Sequence, residues 1–276
     1  MATITAQDVN KLRTITGAGM MDCKKALTEC DGDFEKAIDY LRKKGQKVAA
    51  NRSDREAKEG AVIAKVTPDG KKGAIVMVNC ETDFVAKNQE FIDFTSSLVD
   101  IALTKNCNTV EELKAAAYNS DISVADKIME MVGKIGEKIE IGAFEIVTAE
   151  KVTPYIHHGN RLATLVGFSK TFSDEQVGKN IAMQVAAMNP IAIDRNSVDA
   201  ATLERELDIA REQTRAEGKP EDMVEKIAQG KLNKFFKEST LIEQEFIVDN
   251  KKSVGQYLQS VDKDLTVTSF KRVSLN

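Results

Sequence analysis

Apolar positions along residues 1–45 recur at helical spacing. Val9 and Leu12 open a stripe that Gly17-Ala18-Gly19 interrupts; Met20, Cys23, Ala26 and Leu27 resume it at steps of three, three and one. Asp31-Gly32-Asp33 reads as a turn whose second aspartate caps a third helix, with Phe34, Ala37, Ile38 and Leu41 beneath it and Gly45 as its stop. The pattern predicts three short helices, a bundle too small to be stable by much alone. Such a module displays a surface rather than enclosing an active site.

Residues 46–60, QKVAANRSDREAKEG, are polar and charged and read as a linker, in part helical. Residues 61–67 and 73–79 flank Pro68-Asp69-Gly70 as a β-hairpin. A helix follows over 88–103, with Phe91, Phe94, Leu98 and Ile101 on one side, and another over 124–134, ended by Gly136. Residues 152–158 and 162–168 form a second hairpin around His158-Gly159-Asn160, and a helix over 174–188 breaks at Asn189-Pro190. Setting Gly70 on Gly159 brings Ala74 onto Ala163 and Val76 onto Leu165, a weak repeat that suggests internal duplication. Locally paired strands with helices gathered after them favour an α+β fold over a parallel wound sheet.

Beyond 197 the character changes. Leu203, Leu207 and Ala210, then Val224, Ile227, Ala228 and Leu232, form two helical stripes around Gly218-Lys219-Pro220, the pattern of an antiparallel helical hairpin projecting into water. A strand at 245–248, a helix capped by Ser253 through Leu258, and a terminal strand over 265–273 complete the chain. The expected units are a bundle at 1–45, a linker at 46–60, core halves at 61–140 and 141–196, an arm at 197–238, and the rest of the second half at 239–276.

Composition then removes functions. Of 276 residues, 42% are hydrophobic and 30% charged, enough for a real core and against wholesale disorder. Lys+Arg 39 against Asp+Glu 43 gives −4, without the cationic excess of direct nucleic-acid binding. Two histidines, no tryptophan and 5% aromatics argue against a multi-histidine metal centre or an aromatic carbohydrate cleft. Cys23, Cys30, Cys80 and Cys107 lack metal or redox-motif spacing and read as ordinary thiols. No signal peptide or membrane-spanning run stands out, so a soluble protein is expected, in the cytoplasm or in an organelle after loss of a transit peptide.

The nucleotide-binding, zinc-protease and serine-hydrolase templates are absent. His157 and His158, read as strand neighbours, point to opposite faces and do not chelate one ion together. No acid/base pair stands apart from the solvated faces. One segment does stand out: Glu81-Thr82-Asp83-Phe84-Val85-Ala86-Lys87-Asn88, between a strand and a helix. In one reading Thr82 or Asp83 is a cap and Phe84 a staple packed on the helix. In the other, two rigid elements present Phe84 outward as a wedge, steered by its acidic neighbour. Unaided, the residues say binding protein and do not say of what.

LRTITGAGMMDCKKAL, from Leu12 to Leu27, and TDFVAKN, from Thr82 to Asn88, resemble the two signatures of bacterial elongation factor Ts. The resemblance runs over nearly the whole chain, including the arm and the VGQYL stretch. It implies a guanine-nucleotide exchange factor for elongation factor Tu, with no covalent chemistry, no catalytic residue, no cofactor and no metal. It implies an N-terminal ubiquitin-associated-like bundle that meets the partner's nucleotide domain through Met20, Met21 and Lys24. A loop carrying Thr82, Asp83, Phe84 and Val85 would dislocate the partner's Mg²⁺ site. Ile135 and Gly136, in KIGEKI, and His158 match further interface positions; Ile247 and Val248 match positions that reach another partner domain. The arm matches a coiled-coil hairpin associated with self-association or further partner contacts, which makes a homodimer through it one expectation. Many members continue past the terminal strand into a small module that has no counterpart after Asn276. The rival expectation is an adaptor scaffold of the same build without exchange activity.

Overall fold

In the computed structural model, which describes residues 4–275, the chain opens with three helices, and the third outruns its turn signals. Thr5 and Asp8 box the start of α1 (Ala6–Thr16), and Gly17 closes it. Helix α2 covers Met20–Glu29, and Asp33 caps α3 (Phe34–Asn51) by accepting from the Lys36 N–H. Val9, Leu12, Cys23, Ala26, Leu27 and Ala37 form the bundle's core. Met20, expected in that stripe, is instead 53% exposed: as the first helical residue it overhangs the packed face.

Strands β1 (Glu59–Val66) and β2 (Lys72–Cys80) form the first hairpin, followed by α4 (Asp83–Ala86), α5 (Gln89–Thr104), α6 (Val110–Ala115) and α7 (Val124–Ile135). The expected stop at Gly45 is not there. Helix α3 continues to Asn51, because Gly45 lies inside it where it crosses α7, and Val48 and Ala49 beyond it join the core of the first half. The first residues of the expected linker are therefore helix packed on the core.

Strand β3 (Glu140–Thr148), which no turn signal announced, pairs antiparallel with β2 and completes the sheet β1-β2-β3, so the first sheet runs past residue 140. Strands β4 (Lys151–Ile156) and β5 (Leu162–Phe168) form the second hairpin, and α8 (Glu175–Met188) follows. Helices α9 (Ala200–Ala216) and α10 (Glu221–Ser239) make the arm. The short strands β6 (Glu245–Phe246) and β7 (Asp249–Ser253), helix α11 (Val254–Val261) and strand β8 (Val267–Ser274) end the chain, and β8 completes the sheet β4-β5-β8. The fold is α+β with antiparallel sheets throughout.

The two three-stranded sheets stack face to face. Val62, Ala64, Ile75 and Val147 of one meet Val152, Ala163, Leu165 and Val273 of the other. Their outer faces pack on helices: Ile63, Val76 and Val78 against Phe91, Phe94 and Leu98 of α5, and Val166 and Phe168 against Ile181 and Val185 of α8. Buried on both faces, the middle strands β2 and β5 read as near-continuous apolar runs.

The two halves repeat the same topology, but one residue away from the register the sequence suggested. Val66 pairs with Gly73, and Ile156 with Ala163, each ninety positions on. Gly70 therefore matches Asn160, not Gly159, and both adopt left-handed backbone at φ 68° and 56°. Ile75 then matches Leu165 at the sheet interface, whereas Ala74 faces α5; the one-residue slip had exchanged the faces. The Val62 N–H donates to the Asn160 carbonyl and the Val152 N–H to the Gly70 carbonyl, both at 2.7 Å, the same bond made twice about a local two-fold.

In the arm, α9 and α10 bury Ala210, Thr214, Val224 and Ala228 between them. Arg211–Glu225, Arg215–Glu221 and Lys231–Glu217 pair across it at 2.8, 2.8 and 2.7 Å. Its root, with Phe236 against Ala192 and Val198, ties it to the core.

Candidate partner-binding surface

Strand β2 delivers the chain to Cys80, and the junction beyond it is held by two glutamates. Glu137, between α7 and β3, accepts through Oε2 from the Glu81 and Thr82 N–H groups at 3.0 and 3.1 Å, and through Oε1 from the Thr82 hydroxyl at 2.7 Å. Glu81 accepts from the Lys138 N–H at 2.6 Å, from Arg52 at 2.8 and 3.0 Å and from Arg55 at 3.1 Å. Burial pushes the Glu81 carboxyl up, but the Lys138 N–H and the two guanidiniums outweigh it and hold it at about 2. Burial, with the nearby Glu137 carboxylate, pushes the Cys80 thiol up to about 12. It stays protonated and donates to the Thr82 carbonyl at 3.2 Å.

From this anchored base rises α4, with Thr82 as its cap accepting from the Val85 N–H at 3.4 Å. The cap is thus Thr82, but Phe84 is no staple: it is 83% exposed. Asp83 pairs with Lys87 at 2.6 Å, and that pairing lowers its carboxyl pKa. The second half supplies an internal contrast. In the junction after β5 the position ninety residues on from Phe84 is Asp174, the cap of α8; the aromatic of that junction, Phe172, is half-buried, edge-on to Phe168 at 5.0 Å with the Lys151 ammonium 4.3 Å from its ring centre. The second half thus carries an acidic cap where the first half presents an aromatic.

Ile135 and Gly136 stand next to this loop, and the other sequence-predicted residues lie on separate elements. Ile135 ends α7 half-buried, and Gly136 caps it at φ 80°, immediately before Glu137. Met20 and Met21 are 53% and 73% exposed at the start of α2, with Lys24 exposed one turn on. Gly17, just before them, lies against Lys134, whose ammonium pairs with Glu90 in the first turn of α5. His158 is exposed in the second hairpin loop, which Arg161 ties to Glu59, the residue opposite Cys80. Neither histidine is on a strand as expected, because β4 ends at Ile156; His157 shares a 2.9 Å hydrogen bond with the Tyr155 hydroxyl.

Ile247 and Val248 are placed elsewhere. The expected strand over 245–248 is cut after Phe246, and they form the exposed turn into β7, 42% and 58% exposed. The Ile247 N–H donates to the Gln184 side chain of α8 at 2.9 Å, which pins that turn to the second half.

Sequence reasoning did not single out Glu81 as an anchor, nor Arg52, Arg55 or Glu137. Glu137 and Thr82 are 55 residues apart, and no local pattern marks a carboxylate that caps a distant loop. Among the described residues no His, Cys, Asp and Glu side chains group as a metal site, and no helix is long and apolar enough to cross a membrane. The four thiols are unbridged, three buried and Cys30 half-buried. What the surface offers is an exposed aromatic and two exposed methionines, side chains of the kind that anchor protein–protein contacts.

A family model described as elongation factor TS matches residues 81–276. Curated proteins named elongation factor Ts from Flavobacterium psychrophilum and Christiangramia forsetii are each 55% identical over the full length of both chains. One from Cytophaga hutchinsonii is 50% identical, again over the full length of both.

Proposed function

The chain belongs to the elongation factor Ts family, and on that premise we propose that it is the guanine-nucleotide exchange factor for elongation factor Tu in translation elongation. The observation that carries this reading is Phe84, 83% exposed on a loop braced by Glu81 and Glu137. Exchange breaks no covalent bond. A GTPase that holds GDP at ~nM has ~12 kcal/mol of binding free energy to be offset. The factor offsets it by preferring the nucleotide-free conformation, and by linkage each ligand then weakens the other by the same factor.

Phe84 enters an apolar cleft that opens only when the partner's helices are displaced. A ring burying ~150–250 Å² at ~25 cal/mol/Å² contributes at most about 4–6 kcal/mol before ordering costs. The wedge alone falls short of the total, so Met20, Met21, Lys24, Ile135, Gly136 and His158 supply further contacts to the nucleotide domain. Ile247 and Val248, in the other half, engage a second domain. The loop of Thr82, Asp83, Phe84 and Val85 displaces the Mg²⁺-holding segment of the partner; Mg²⁺ demands near-octahedral geometry, so a small shift weakens it.

The direct test is release of fluorescent GDP from elongation factor Tu. Substoichiometric protein accelerates release if the reading holds. Binding to elongation factor Tu without acceleration would make the chain an adaptor and end it.

A further inference from the structure

We propose that Glu137 is the positioning residue of this surface: its carboxylate holds the Phe84 ring in the presented orientation before any partner arrives. The proposal rests on the reading of Phe84 as the wedge. Helix α4 has four residues, none fully buried; Val85 and Ala86 rest half-buried on the core, too short a footing to set the orientation of Phe84 between them and Asp83. Its base adds the second hold, where three donors from Glu81 and Thr82 converge on one carboxylate. Because the Thr82 hydroxyl proton is taken by Glu137, the hydroxyl oxygen keeps its lone pairs for the Val85 N–H, so the carboxylate also sets the helix cap. Glu81 in turn accepts from the N–H of Lys138, the residue after Glu137, and from Arg52 and Arg55 on the far side. The second half ties its junction differently, with Lys170 on Asp262 and Asp264 at 3.0 and 3.1 Å, and carries Asp174 at the position matching Phe84. A loop ordered in advance does not pay its ordering entropy on contact.

The chain contains no tryptophan, so Phe84→Trp provides a single fluorescent reporter of ring mobility. In that background Glu137→Ala is expected to enlarge the fast component of the indole anisotropy decay, and Glu137→Gln, which keeps an acceptor, to restore most of the slow one. With Phe84 in place, Glu137→Ala is expected to lower GDP-release stimulation about ten- to hundredfold at sub-saturating concentration. The rate at saturation should be retained, and Glu137→Gln should recover most of the loss. Unchanged mobility, or increased mobility with unchanged exchange, overturns the proposal. Phe84→Ala, run alongside, separates the two ideas: parental activity in that variant sinks the wedge itself. Should Glu137→Ala fail to fold by circular dichroism, Thr82→Val carries the test. It removes one of the three donors and the cap, and an unmoved indole there overturns the proposal equally.

Discussion

Gly45 of α3 and Gly133 of α7 meet backbone to backbone: a Cβ added to Gly133 would lie 3.1 Å from the Gly45 Cα, and one added to Gly45 2.7 Å from the Met129 carbonyl oxygen. The crossing joins the bundle to the core. Just past the crossing, Lys134 reaches Glu90, and Glu137, two residues beyond the end of α7, reaches the base of the Phe84 loop. The crossing thus stands directly behind the anchor of Phe84.

Gly45→Leu should force these helices apart and destabilise the protein by about 1–3 kcal/mol in chemical denaturation. The 52–58 segment should become more open to protease. Gly230, inside α10 with nothing within 4 Å, is the contrast: Gly230→Ala should stabilise by about 0.5–1 kcal/mol. Equal effects at the two sites would mean the close approach plays no part.

Phe84→Ala should weaken the coupling to nucleotide by about 2–4 kcal/mol, read as lost GDP-release stimulation. Its thermal midpoint should match the parent, since the ring buries little in the free protein. A large drop in the midpoint would show the ring to be part of the fold.

Acid should act on Glu81. Its folded carboxyl sits at about 2, below its ordinary 4.5, so its contribution to stability is complete above about pH 4.5. As pH falls from there toward 2 the unfolded chain takes up the proton first, and the contribution is lost. Urea midpoints measured across that range should fall more steeply for the parent than for Glu81→Gln. Parallel curves would deny the anchor its electrostatic part.

Removing 204–231 and closing the gap with a short flexible turn should leave the core melting within a few degrees of the parent. Val198 and Phe236, which root the arm, remain in that variant. Loss of a cooperative transition in calorimetry would show that the arm supports the core.

Local chemistry was legible along the chain. The caps at Asp33 and Ser253, the stop at Gly136 and the turn at Gly70 were each readable because a cap or a left-handed turn is made by residues three or four apart. Strand β3 was not, because the bulge beside Met77 and Val78 and its half-exposed face blur the alternation a strand would show.

The sequence by itself determined the α+β class, both hairpins and the arm, since each rests on spacing within a few turns. Only the tertiary structure decided that Gly45 is a crossing rather than a stop, that the repeat is set at ninety positions, and that Glu137 anchors the loop beneath Phe84. Those outcomes depend on groups that folding brings together from distant positions, such as Gly45 with Gly133 and Thr82 with Glu137, and hydrophobic periodicity carries no record of such pairs.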